Sequence, residues 1–326
     1  MFGYRTIGFG GKASRGGGGP GDRGLYGGGE GGLMIDYIAI STTGNGTDFG
    51  DGLRYQTTGG VCNGGSGDRG LFSGGSDPWP GPYSFNTIAA VTVSTLGDAE
   101  DTGDLTEGRR FFAGVSNGSE DRGVYMGGYI PGAVYARDTI DYVTISTAGD
   151  AADFGDLSVG HFSMTGVSNA SNRGVACGGR TEAANGVNTL QYITISTTGD
   201  GTDFGDTSVD DIQSNGGCSN DTGDRGIYGG GEVSTASPVY VNVIEYITIS
   251  TASDGTDFGN LLEARYALSS CSNGEADRGT FAGGYSSTTI DTIDYVTISS
   301  EGDAADFGNL TSGRFMNNTG LSNGQT

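Results

Sequence analysis

Histidine occurs once in this chain, at His161, and lysine once, at Lys12. A Ser-His-Asp triad or a histidine-held metal would hang on a single residue, and neither is expected. Cations as a class are scarce: 16 Lys and Arg stand against 39 Asp and Glu, a net charge of −23. That balance excludes an ordinary electrostatic nucleic-acid binder, which needs a basic patch to displace counterions. It also leaves a body that repels its own kind and anionic surfaces. No run of 18 apolar residues is present, so no transmembrane helix is expected. The stretch from Met1 to Lys12 has no apolar core of signal-peptide length. Four cysteines, Cys62, Cys177, Cys218 and Cys271, lack the spacing of a zinc site, and no cofactor is implied.

Glycine is what the chain has in abundance, 66 residues against 34% apolar ones. Such a composition usually signals disorder, but here the glycines sit at fixed offsets between short Val, Ile, Tyr and Phe runs. One unit is Asp121-Arg122-Gly123-Val124-Tyr125-Met126-Gly127-Gly128, followed by β-branched and Asp-Phe-Gly stretches at 139–146 and 152–157. It recurs six times, with its arginine at Arg23, Arg69, Arg122, Arg173, Arg225 and Arg278. Repeats of this length, built from β-like runs and glycine turns, predict propeller blades. Cys218 and Cys271 fall where other repeats have Val61, Val115, Val167 and Leu321, so buried free thiols are expected.

Each repeat reads as four short strands. The Arg-Gly run ending in a double glycine is the second, the Ile-x-Tyr-Ile/Val-Thr-Ile-Ser run is the third, and the Asp-Phe-Gly stretch is the fourth. First strands then follow at 54–63, 110–117, 161–169, 212–220, 265–273 and 314–323. The chain thus enters its first repeat at a second strand and ends on a first strand with no successor. In a ring, that last strand fills the vacant place and removes the open sheet edges. The prediction is an all-β, six-bladed β-propeller of four-stranded blades over residues 22–326, closed by its C-terminal strand and preceded by an arm at 1–21.

The double glycine (Gly127-Gly128), the third-strand tyrosine (Tyr142), the last-strand aromatic (Phe154) and the basic residue near the first strand (Arg110) make residues 22–323 resemble kelch and galactose-oxidase-like repeats. Phe154 and its equivalents replace the tryptophan usual there. The tandem wording Arg-Gly-Val-Tyr-x-Gly-Gly, Ile-Asp-Tyr-Ile-Thr-Ile-Ser and Asp-Phe-Gly-Asp-Leu is also similar to virion proteins of tailed phages, marine cyanophages especially. That resemblance implies a non-enzymatic structural protein on the particle surface, as a capsid decoration or a tail or fibre appendage. Its partners would be other virion proteins, with further copies of itself on the particle.

Between the third and fourth strands, carboxylates or amides recur at three-residue steps, as in Asp150, Asp153 and Asp156. Two readings stay open: turn capping, with the middle aspartate paired to a second-strand arginine, or calcium held by carboxylate oxygens. The six Arg-Gly arginines, five of them preceded by aspartate, are expected to form ion pairs between strands or blades. A catalytic centre is rarely six-fold.

What varies is expected to carry binding. The loops joining second and third strands differ in length and hold Trp79, Tyr83, Phe85, Tyr129, Tyr135, Tyr240 and Tyr285, several beside prolines. Exposed Tyr and Trp on stiff loops suit protein contact or stacking on a sugar ring. A carbohydrate-binding module that reads a host-surface glycan is therefore the alternative function. A secreted propeller enzyme of the galactose-oxidase or sialidase type comes third. Residues 1–21 carry Arg5, Lys12 and Arg15 and no acid, which leaves −26 on the remainder. Within them Phe2, Tyr4, Ile7 and Phe9 alternate with small or polar residues, as in an arm that docks by strand addition or buries its aromatics in a neighbour. A plain tail is the other reading.

Overall fold

The computed structural model describes residues 22–322 apart from 30–31, 54–58, 65–66, 77–83, 118–120, 133–134, 148, 184–185, 211, 214, 234–238 and 317–319. The expected anchor residues Phe2, Tyr4, Arg5, Ile7 and Phe9 lie outside the described residues, as do Trp79 and Tyr83.

Among the described residues the strands form six four-stranded antiparallel sheets and one small three-stranded sheet. From the innermost strand outward, the first sheet is Gly320–Ser322, Arg23–Gly27, Met34–Ala39 and Thr47–Asp51. The second is Gly60–Cys62, Arg69–Ser73, Thr87–Thr92 and Glu100–Asp104. The third is Ala113–Ser116, Arg122–Tyr129, Ala136–Thr144 and Ala152–Asp156. The fourth is Thr165–Ser168, Arg173–Cys177, Thr189–Thr194 and Thr202–Asp206. The fifth is Gly216–Ser219, Arg225–Gly229, Val243–Thr248 and Thr256–Asn260. The sixth is Ser269–Ser272, Arg278–Ala282, Thr292–Thr297 and Ala305–Asn309. The three-stranded sheet, Ile212–Gln213, Glu232–Val233 and Val239–Tyr240, is formed by the loops that lead into and through the fifth.

These meanders pack face to face around an axis, the arrangement of a β-propeller. The last strand pairs with the first, Leu321 opposite Leu25, as the leftover C-terminal strand predicts. Third strands bury both faces because each is covered by the sheet before and the sheet after. The core accordingly lies between sheets. Leu25, Ile35 and Phe49 of the first meet Phe72, Ala89 and Val91 of the second. Ile293 and Phe307 of the sixth meet Tyr26, Ile38 and Ile40 of the first.

Two glycine positions set this spacing. In every four-stranded sheet the pairing of third and fourth strands slips by one residue beside the fourth-strand glycine, which follows Asp-Phe in five sheets and Asp-Thr in the second. In the third sheet that glycine is Gly155, at φ +148°, and a Cβ there would lie 2.5 Å from the carbonyl oxygen of Gly199 in the fourth. Only glycine tolerates both the backbone and the approach. At the axis, Gly60, Gly114, Gly166, Gly217 and Gly320, with Ser270, bring the inner strands together. A Cβ on Gly166 would stand 2.5 Å from the carbonyl oxygen of Gly114. The axial cavity is left with about 30 Å³, room for roughly one or two waters. Among the described residues no helix is long and apolar enough to cross a membrane.

Candidate binding face

The loops joining first to second and third to fourth strands share the lower face, where the repeated polar residues are consumed as struts between sheets. Arg122 lies over the ring of Tyr142 in its own sheet at 4.4 Å and donates to the carbonyl of Ile195 in the next. The step repeats around the molecule: Arg23 to Val93, Arg69 to Ser146, Arg173 to Ser250, Arg225 to Ile298, and Arg278 back to Ile40. The expected ion pairs are therefore mostly replaced by a ring contact and a carbonyl. Arg225 also has a carboxylate within reach, Glu301 at 3.8 Å. The physical reason is position: the guanidinium is wedged between a tyrosine face and the neighbouring turn, where carbonyl oxygens point. Each cation–π contact of this half-buried kind contributes about 0.5–1 kcal/mol.

The aspartate before each arginine has its own task. Asp121 adopts φ +64° and accepts from the backbone amide and hydroxyl of Ser146, closing the turn between its third and fourth strands. It also accepts the side-chain amide of Asn63 from the sheet before, at 2.9 Å. Asn172 stands in for it in the fourth sheet, with Ser196 and Asn117 as partners. Asp and Asn are the residues that both tolerate this backbone and supply the acceptor.

The three-step acidic ladder caps backbone amides, but across sheets. Asp150 accepts from the amide of Asp104 at 3.1 Å, and Asp200 from that of Asp156 at 3.1 Å. The series closes where Asn45 accepts from Asn309. The expected pairing of the middle aspartate with arginine is not among the described bonds. Asp150, Asp153 and Asp156 are exposed and strung along a turn and a strand. Among the described residues no group of three His, Cys, Asp or Glu is placed to hold a metal ion.

The sequence reading overlooked a second set of struts. The residue before the third-strand tyrosine is fully buried and polar in five sheets: Asp36, Asp141, Gln191, Glu245 and Asp294. Asp141 meets Arg109 at 3.1 Å, Asp294 meets Arg265 at 3.1 Å, and Asp36 binds Arg314. Each also caps the loop that arrives from the preceding sheet, as Thr106 donates to Asp141 and Thr311 to Asp36. Burial lowers the pKa of all three guanidinium groups, with the adjacent carboxylates opposing it. The signal was present as Leu105-x-x-x-Arg109, Leu261-x-x-x-Arg265 and Leu310-x-x-x-Arg314; Arg265 and Arg314 open the expected first strands, whereas Arg109 stands one residue before the Arg110 taken as the marker.

What remains is the upper face, formed by the loops of variable length. Here the side chains that break the repeat come together in two clusters. Tyr129 and Tyr135 are 5.6 Å apart between ring centres, and both contact Phe162, at 5.3 and 5.7 Å. Phe111 joins at 6.2 Å from Tyr129, and the guanidinium of Arg110 lies 5.1 Å from the Phe111 ring and 5.0 Å from that of Tyr129. Arg180 lies over Phe162 at 5.6 Å. In the second cluster Tyr240 stacks on Tyr266 at 4.8 Å, with Tyr285 and Phe315 edge-on to Tyr266. Of the aromatics expected to bind, Tyr129 with Tyr135 and Tyr240 with Tyr285 are thus brought together. Phe85 is half-buried, and its backbone bonds Gly75 and Arg109. Phe111, Phe162, Tyr266 and Phe315 were missed because they sit in the loops entering first strands. There they follow or flank the Leu-x-x-x-Arg signal and pair across to the double-glycine loops, as Tyr266 does with Tyr285.

The single histidine and the four cysteines lie in the interior. His161 is buried, and desolvation lowers its pKa to about 4. All four cysteines are free and buried, and burial pushes their thiols up, Cys218 to about 12. A thiolate nucleophile needs the opposite environment.

No protein-family model and no curated protein matches the sequence. In fold the chain is similar to the solved structure of YjhT, with a TM-score of 0.65 over 85% of this chain and 92% of that one, at 13% identity. That likeness supports the β-propeller architecture.

Proposed function

We propose that the chain is a non-enzymatic, six-bladed propeller of a phage virion, held by its N-terminal arm and offering its upper face to a partner or to the host surface. In this reading each four-stranded sheet is one blade, and the three-stranded sheet is an outgrowth of the fifth. The cycle of hydrogen bonds from Arg23 round to Arg278 and Ile40 supports that count. The virion setting rests on the resemblance of the repeat wording to phage structural proteins.

The observation that carries the proposal is polarity. Asp22, where the arm joins the ring, lies on the lower face, bonded to Ser41 in a lower turn and to Asn273 of the sixth sheet. The non-repeated aromatics gather on the opposite face. An anchor on one side and a varied surface on the other is the layout of a displayed binding module. Narrowing of the axis by glycine and burial of His161 and the cysteines argue against a catalytic tunnel. Mass spectrometry and imaging of intact particles from the source test the reading. A stoichiometric chain on the particle surface is expected, and its absence from purified particles would overturn the virion assignment.

A further inference from the structure

Three arginines among the described residues stand outside the repeated struts: Arg110, Arg137 and Arg180. All three fall in or beside the upper loops of the third and fourth sheets, around the Phe111, Tyr129, Tyr135 and Phe162 cluster. Arg137 faces Glu107 at 3.5 Å, and Arg180 lies over Phe162. Arg110 is placed against two rings at once. In a body of this acidity, two of these non-repeated cations, Arg110 and Arg180, are placed against the rings of one aromatic surface.

The backbone beneath is strained in a telling way. Phe111 adopts φ +60°, a conformation that L side chains seldom take. The equivalent residues entering the fourth and sixth sheets, Ser163 at φ +58° and Ala267 at φ +56°, are small. Among the described residues, only at Phe111 does this conformation carry a large ring. The carbonyl of Phe111 accepts from the amide of Ser163 at 2.7 Å, and Arg110 and Tyr129 exchange both backbone bonds, at 3.1 and 2.7 Å. The ring is therefore held half-exposed on the upper surface beside Tyr129, with a guanidinium fixed between them. A flat apolar face next to a fork of N–H donors is complementary to a sugar ring that bears a carboxylate: ring C–H groups meet the aromatics and the acid meets the arginine.

We infer that the Arg110–Phe111–Tyr129 surface is a binding site for an acidic sugar, a hexuronate residue within a polysaccharide. The inference rests on the proposed role of the upper face and names its ligand class. Charge complementarity selects the acid, since a carboxylate makes a charge-assisted pair with a guanidinium that a neutral hydroxyl cannot match.

The test uses the purified full-length chain, oligogalacturonate, and the same oligomer with its carboxyl groups reduced. Wild type is expected to bind the acid form at least about tenfold more tightly than the reduced one, because a charge-assisted pair is lost. Phe111→Gly removes the ring while relieving the backbone, so the variant folds, and it is expected to weaken binding by about tenfold or more. Arg110→Gln is expected to abolish the preference for the acid. Ala267→Gly, at the matching position in the sixth sheet, is expected to leave binding unchanged. Equal affinity for both oligomers, no binding of either, or full binding by Phe111→Gly would each overturn the assignment. Particle association of the chain, measured separately, is unaffected by those failures and reports on the broader role.

Discussion

The guanidinium of Arg278 donates to the carbonyl of Ile40 at 3.1 Å, joining the sixth sheet to the first across 238 positions of sequence. The strand Gly320–Ser322 makes the same junction by backbone pairing with Arg23–Gly27. Removing residues 320–326 should therefore leave Arg23–Gly27 as an open edge and strip Leu321 from the core it shares with Leu25 and Phe72. The expected outcome is self-association through the bared edge and a lower melting temperature, read by size-exclusion chromatography and calorimetry. A monomer of unchanged stability would show that closure does not depend on this strand.

The Arg109–Asp141 pair is buried on both sides. Asp141→Ala should cost about 3–5 kcal/mol, since it leaves a buried guanidinium without its counter-charge. Arg109→Met combined with Asp141→Leu should recover most of that loss, because the desolvation of both charges is removed together. Urea unfolding of the single and double variants checks the ordering. A double variant as unstable as Asp141→Ala would contradict it.

Much of this architecture was legible in the sequence, and the reason is geometric. A residue such as Gly155 answers to a backbone conformation that recurs in each four-stranded sheet, so it recurs at a fixed place. The leftover final strand announced its pairing with the first repeat because ring closure is a statement about chain order; the register, Leu321 opposite Leu25, comes from the structure. The struts were harder to read, since Arg122 finds Ile195 and Asp104 finds Asp150 only once neighbouring sheets are in place. Buried acids were hidden for a different reason. Asp141 sits within an apolar run that looks like any β-branched strand, and its partner Arg109 stands beside a second arginine that drew the assignment. Phe111 and Tyr266 escaped notice because clustering with Tyr129 and Tyr285 is a property of two loops from different strands.

Glu245 occupies the position of Asp141 in the fifth sheet, but its partners are the hydroxyl of Ser208 and the amide of Val209, at 3.0 Å for the latter. No described arginine reaches it. Glu245→Gln should therefore be neutral or stabilising by about 1 kcal/mol, in contrast to Asp141→Asn, because a buried carboxylate without a cation gains little from its charge. Thermal denaturation of the two variants side by side decides it. Equal destabilisation of both would mean that Glu245 has a cationic partner of its own.

His161 stands where other sheets place a buried arginine, and the acid position of its sheet holds the neutral Gln191. Burial lowers its folded pKa to about 4, against about 6.5 in the unfolded chain. Between those values the unfolded state binds the extra proton, so stability falls as pH drops from about 6.5 to about 4 and is fully present above that window. The loss attributable to this residue is about 3 kcal/mol. His161→Gln should remove that part of the acid sensitivity. Denaturant unfolding of both proteins at pH 7.5 and pH 4.5 measures it, and parallel losses in the two would rule the histidine out.

In the proposed role the ring is scaffold, the N-terminal arm is the anchor and the upper face is offered to a partner. The most direct test of that role is incorporation of a chain that begins at Asp22 into particles, compared with the full chain by quantitative mass spectrometry, with circular dichroism and melting to verify the fold. The expected result is an intact propeller that no longer joins the particle. Incorporation of the shortened chain at the full-length level would contradict the account.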